Sequence, residues 1–176
     1  RTGDVITAEA LIEEVKAKTK GDEQVAIGAI KYMILRQSIG HDVIFDFEKS
    51  VSTEGDSGVY LQYAYARTNS VLEKAKHRAL PSVSYRGESS VRETHGVEKL
   101  LYRFPEVVER ACREYAPQYI TTYLTELAGS FNNFYANEQI IDDSPESPYR
   151  LAIAKAFNVV MKNGLTILGI SAPKSM

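Results

Sequence analysis

Tyr60-Leu61-Gln62-Tyr63-Ala64-Tyr65-Ala66-Arg67, continuing through Ser70 to Lys74, is the stretch on which the reading of this chain turns. At roughly 100° per residue it forms a helix with two distinct faces. Leu61, Ala64, Tyr65, Val71, Leu72 and Ala75 fall on one side, and Tyr60, Tyr63, Arg67, Ser70 and Lys74 on another. Tyr63 and Arg67 are i and i+4, so their side chains are neighbours. The second strip combines phenol rings, a guanidinium and an ammonium. Single-stranded RNA is bound by that combination of stacking planes and phosphate donors. A plainer reading stands beside it: Tyr at helical spacing belongs to a core, and Lys and Arg are solvated.

Around this helix the chain reads as mainly α. Thr7 is an N-cap for a helix through Leu11, Ile12 and Val15, closed by lysines and Gly21. Asp22 caps a second helix, apolar over most of its circumference and stopped by Gly40. Residues 42–48 alternate partly, with Val43, Phe45 and Phe47 apolar, and are expected to form a strand. Residues 50–58, rich in Ser and Gly, form a linker, which places the domain boundary between 55 and 56. Asp56 or Ser57 caps the helix quoted above, which runs to about Ala79. The residues from 81 to 94 read as a surface loop. A short helix at 97–103 is followed by another that starts at Pro105. Pro117 opens a long helix to about Ile141, with Tyr119 and Tyr135 at the borders of its apolar arc. A turn at 142–148 leads into a last helix ending near Leu168 and closed by Gly169. The result is about seven helices, with an all-α bundle from residue 56 onward.

Composition sets limits. The chain has 176 residues, 44% hydrophobic and 25% charged, which suits a packed domain rather than disorder. No apolar run approaches the roughly 18 residues of a membrane span. The single cysteine, Cys112, excludes an internal disulfide and suits a reducing compartment. The chain begins with Arg1 rather than Met, as a piece of a longer protein would. Its net charge is −2, but the charge is uneven: 7 basic against 11 acidic residues over 1–59, 10 against 7 over 60–120, and 4 against 5 over 121–176. A mildly positive middle third is too weak for non-specific DNA binding. It suits a protein that reads a few exposed bases.

Catalytic patterns are absent from the sequence. It has no Gly-rich phosphate loop, GxSxG, HExxH or CxxC. His41, His77 and His95 are too widely spaced for a zinc site, so no metal is expected. Asp142-Asp143 lies in a turn and reads as solvated. The chain is expected to act by binding.

Several separated stretches, in order, resemble the C-terminal part of class I arginyl-tRNA synthetases. Arg1-Thr2-Gly3-Asp4-Val5-Ile6-Thr7 resembles the segment just after that family's lysine loop, which holds ATP phosphates. Gly28-Ala29-Ile30-Lys31-Tyr32 and Phe45-Asp46-Phe47-Glu48 resemble the end of its catalytic domain. Glu54 to Arg67 resembles its most recognisable segment here, with Val59 where proline is frequent, a change expected to affect only how the turn is stiffened. Tyr123-Leu124-Thr125-Glu126-Leu127, Phe131-Asn132-Asn133-Phe134-Tyr135 and Leu168 to Met176 resemble the anticodon-binding bundle.

The resemblance implies residues 1–55 as a remnant of the Rossmann-type catalytic domain and 56–176 as an all-α anticodon-binding domain. It implies arginine tRNA as partner, gripped at its anticodon loop by Tyr63, Arg67, Tyr135 and Met176. On position alone, Met176 would read as a disordered tail. The full-length enzyme would attach arginine to tRNA using ATP. The family's histidine motif and arginine pocket are missing here and Arg1 is at most a remnant of the ATP loop, so this piece is expected to be inactive by itself. A cytoplasmic monomer with no membrane or DNA partner is expected. Two other readings stay open: the anticodon domain of a related cysteine enzyme, and a helical protein-interaction module that binds no RNA.

Overall fold

Polar side chains cap four of the seven helix starts seen among the described residues. The computed structural model describes residues 6–41, 43–76 and 95–176. Among these residues there are seven helices and no strand: α1 (Ala8–Lys18), α2 (Glu23–Leu35), α3 (Phe47–Ser50), α4 (Gly58–Lys76), α5 (Gly96–Arg113), α6 (Gln118–Asn137) and α7 (Ser147–Ile167). Thr7 Oγ1 accepts from the Ala10 amide at 3.2 Å, and Asp22 Oδ1 from Val25 at 3.1 Å. Ser57, rather than Asp56, caps α4, accepting from the Tyr60 amide at 2.9 Å. α7 ends on Gly169 at φ +65°, a left-handed position that glycine takes without strain.

The main core joins α4, α6 and α7, with α5 packed on α6. Leu61 and Ala64 of α4, Leu124, Leu127 and Phe131 of α6, and Phe157, Met161 and Leu165 of α7 are fully buried. The rings of Phe131 and Phe157 stack at 3.9 Å with 13° between their planes. Truncating either to Ala would remove about 3–5 kcal/mol. A smaller cluster is built by α1 and α2, from Val15, Val25, Ala26, Ala29 and Ile30, and Val59 of α4 completes it. Val59 therefore lies within α4 and contributes packing, where only an effect on the turn was expected.

α2 and α4 cross at two glycines. A Cβ on Gly58 would lie 2.5 Å from the Gly28 carbonyl oxygen, and one on Gly28 would lie 2.7 Å from the Gln62 amide nitrogen. Beside this crossing, Arg36, the C-cap of α2, forms an ion pair with Asp56. Asp56 also accepts a hydrogen bond from the Tyr32 hydroxyl, which lies 2.6 Å from Thr125 Oγ1 on α6. One polar knot thus ties α2, the loop before α4, and α6.

Five expectations need correction. α2 ends at Leu35 with Arg36 as its C-cap, five residues before Gly40. Residues 43–46 are not a strand and Asp42 lies outside the described residues; α3 starts at Phe47, capped by Asp46, which accepts from the Lys49 amide at 3.1 Å. The apolar alternation arises because Phe45 and Phe47, in edge contact at 5.1 Å, pack on the α1–α2 cluster. The two helices expected on either side of Pro105 are one, α5. The apolar series Val97, Leu100, Leu101, Phe104, Val107, Ala111 runs unbroken past the proline, which sits on the exposed side. α6 stops at Asn137, not Ile141, because Glu138 is extended at φ −120° and ψ 129°. Asp142 is not simply solvated: it accepts from Arg150 at 2.7 Å and from Ser144. These hydrogen bonds, with Ser144 foremost, hold its carboxyl below the usual range. The stretch expected as a loop at 81–94 lies outside the described residues.

Helix propensity alone would make Gly58→Ala stabilising by about 1 kcal/mol. The backbone contact reverses the sign, and thermal unfolding is expected to show a net loss of roughly 1–3 kcal/mol. A second expectation concerns alkali. Burial, reinforced by the Asp56 hydrogen bond, pushes the Tyr32 phenol well above its ordinary pKa of 10.0, and burial does the same for Tyr123, whose hydroxyl donates to the Leu100 carbonyl at 2.9 Å. Unfolded, both release their protons near pH 10; folded, they retain them. Their contribution to stability is complete below pH 10 and falls as pH rises above it. Phenolate absorbance should show Tyr32 and Tyr123 titrating only as the protein unfolds.

Candidate nucleic-acid interface

The polar strip of α4 faces a cavity of about 300 Å³. Tyr63, Arg67, Ser70 and Lys74 line it from α4, Tyr135 from α6, and Ser175 and Met176 from the last residues of the sequence. All four residues expected at an RNA site are therefore at one place. Arg1, the fifth candidate, lies outside the described residues. Helical periodicity accounts for the α4 contribution: positions 63, 67, 70 and 74 recur on one side at i, i+4, i+7 and i+11. Ala66 and Val71, small or buried, leave room between them.

The Arg67 guanidinium lies 4.0 Å from the centroid of the Tyr135 ring. Such contact is worth about 0.5–1 kcal/mol at exposed sites and more when water is excluded. Tyr135 also borders Phe131, ring centroids 6.4 Å apart, so the core holds the ring from behind. Tyr63 is 42% exposed and Met176 50%. Neither Arg67 nor Lys74 makes an ion pair or side-chain hydrogen bond with any described residue. The cavity thus presents two cations without an ion-pair partner among the described residues, aromatic surfaces and a thioether.

Two members of the strip behave differently. Tyr60 is half-buried against the main core, and its hydroxyl accepts from Asn132 Nδ2 at 2.9 Å. Tyr65 is only 4% exposed and belongs to the core, as its side of the helix implied.

What sequence reasoning missed is how the tail is held. Residues 168–172 are not loose. Ile170 is buried in the main core and Ala172 packs on it. Lys31 of α2 donates to the Gly169 carbonyl at 2.5 Å. Gln62, fully buried in α4, donates to the Ser171 carbonyl at 2.9 Å and lies 3.4 Å from the Gln24 carbonyl. Gln62 falls on neither of the two strips of α4, so the spacing gave no signal for it; once buried, a Gln needs partners, and here the tail supplies one.

Among the described residues no group of three or more His, Cys, Asp and Glu side chains could hold a metal ion, and no helix is long and apolar enough to cross a membrane.

Comparison with known proteins bears on this geometry. The model of the DALR anticodon binding domain matches residues 61–176. An arginine–tRNA ligase of Streptococcus pneumoniae strain CGSP14 is 39% identical over 173 residues, covering 97% of this chain and 30% of that protein. A second, from strain Hungary19A-6, is 38% identical over the same span. The chain thus spans about 30% of the length of the curated relatives it matches. Among solved structures, Thermus thermophilus arginyl-tRNA synthetase shares the fold with a TM-score of 0.82 at 24% identity, over 100% of this chain and 33% of that one. The Plasmodium falciparum enzyme gives 0.74 at 22% identity, over 96% and 30%.

If Gln62 positions the tail, Gln62→Met keeps the volume and removes the donor. A buried hydrogen bond contributes about 0.5–1.5 kcal/mol, so amide exchange over residues 171–176 should quicken about two- to tenfold while exchange in α6 and α7 stays unchanged.

Proposed function

The chain belongs to the DALR anticodon binding domain family, and on that premise we propose that it recognises the anticodon loop of an arginine tRNA. The observation that carries the reading is the Arg67–Tyr135 pair, 4.0 Å from guanidinium to ring centroid, in a cavity also lined by Tyr63 and Met176. Sequence-specific RNA recognition works on unstacked bases laid against aromatic or guanidinium planes. Tyr63 and Tyr135 supply rings, Arg67 supplies both a plane and a charge, and Met176 adds a polarisable wall that adapts to a base. Lys74 supplies a second cation for the backbone. This arrangement explains how a chain of net charge −2 can bind RNA: the cations that matter are local and have no ion-pair partner among the described residues.

In this reading residues 56–176 form the anticodon-binding domain, and residues 1–55 are the end of a catalytic domain. The whole protein would attach arginine to its tRNA with ATP in the cytoplasm, and this stretch alone would bind tRNA without charging it, as a monomer. The relatives named arginine–tRNA ligase favour the arginine tRNA over that of cysteine.

The test is binding of an arginine anticodon stem-loop to wild type, Tyr135→Ala and Arg67→Ala. Losing a stacking partner costs roughly 1–3 kcal/mol, so each variant should bind about 5- to 150-fold more weakly with unchanged far-ultraviolet circular dichroism. Equal binding by all three would refute the site, and a cysteine stem-loop should bind more weakly than the arginine one. Deleting Met176 is expected to weaken binding as well.

A further inference from the structure

No residue of α2 lines the candidate cavity, yet α2 meets each of the three elements that do. Gly28 lies against the Gln62 amide of α4. The Tyr32 hydroxyl lies 2.6 Å from Thr125 Oγ1 of α6. Lys31, between them in sequence, donates to the Gly169 carbonyl at 2.5 Å, where the tail leaves α7. The first two contacts belong to the packing of the bundle. The third does not. Lys31 is exposed and has no carboxylate partner among the described residues. Holding a long, mobile side chain at one carbonyl costs conformational entropy, so the contact needs something to fix.

The chain around Gly169 shows what that is. The Gly169 and Ile170 amides close α7 by donating to the Thr166 and Leu165 carbonyls, at 3.0 and 2.9 Å. Gly169 itself, at φ +65°, turns the backbone away from the helix, and its carbonyl meets Lys31. α7 has no basic residue in its own last turn, so Lys31 also brings the positive charge that a helix C-terminus favours. Beyond the turn the tail has little slack. Ile170 is buried in the main core and the Ser171 carbonyl is held by Gln62. Pro173 restricts its own backbone and that of Ala172. Only Lys174 and Ser175 then separate this restrained stretch from Met176.

We propose that Lys31 is a positioning residue for RNA binding: it sets the direction in which the tail leaves α7 and so places Met176 against the base held at Arg67 and Tyr135. The inference rests on the anticodon reading of the cavity. Lys31 acts through the backbone of the tail and touches no RNA. It puts a determinant of RNA affinity within residues 1–55, ahead of residue 61, where the family match begins.

The experiment measures binding of an arginine anticodon stem-loop to wild type, Lys31→Met, Lys31→Arg, the chain lacking Met176, and the chain carrying both Lys31→Met and that deletion. Lys31→Met keeps a long side chain and removes the donor, and should weaken binding about two- to tenfold. Lys31→Arg, which still donates, should recover most of that loss. In the chain lacking Met176, Lys31→Met should have no further effect, because both changes act on one contact. An unchanged affinity for Lys31→Met would overturn the proposal. So would a loss of the same size with and without Met176, as expected of a surface cation that attracts RNA or of a weakened fold. A loss as large for Lys31→Arg as for Lys31→Met would overturn it too. Each of these results leaves the anticodon reading standing as long as Tyr135→Ala and Arg67→Ala bind more weakly than wild type. Failure of wild type to bind the stem-loop would overturn that reading and this inference with it.

Discussion

The close crossing of α2 and α4 is the constraint that organises everything around it. Gly28 and Gly58 allow backbone to approach backbone where any side chain would collide. That approach lays the Gln62 amide across Gly28, within reach of the Ser171 carbonyl. It also brings Lys31 to the Gly169 carbonyl and Arg36 to Asp56. Two glycines therefore position a tail whose last residues, Ser175 and Met176, line the candidate site. The smaller α1–α2 cluster is tied to the bundle by the same crossing, through Val59. Although the family match starts at residue 61, the helices before it contribute directly to holding the interface together.

The interface separates rigidity from charge. The rings that face RNA in this reading are backed by the core: Tyr135 leans on Phe131, and Phe131 stacks on Phe157. The cations stand at the rim, without carboxylate partners among the described residues. A base entering the site meets planes that are already oriented, so little side-chain entropy remains to be lost on binding.

Much of this is legible because helices obey one period. The faces of α4, the caps at Thr7 and Asp22, the stop at Gly169, and the assignment of Tyr65 to the core all come from spacing and local chemistry. The failures are as physical. Phe45 and Phe47 alternate like a strand because both reach one apolar cluster. Pro105 resembles a helix start because only the apolar series on either side of it reveals that the helix continues. Tyr60 reads as exposed because the neighbour that covers it, Asn132, is 72 residues away.

By itself the sequence determined the mainly α class, the helix that carries Tyr63, Arg67 and Lys74 on one strip, and the placing of Tyr135 at the border of an apolar arc. Those properties depend on residues within a few turns of one another, and the helical repeat encodes them directly. Only the tertiary structure decided that Tyr135 would lie under Arg67, that Gln62 would hold the tail, and that Met176 would reach the same cavity. Each of these depends on how far α6 runs and how closely α2 approaches α4. Such distances are set by packing between residues far apart in the chain, and no local period records them.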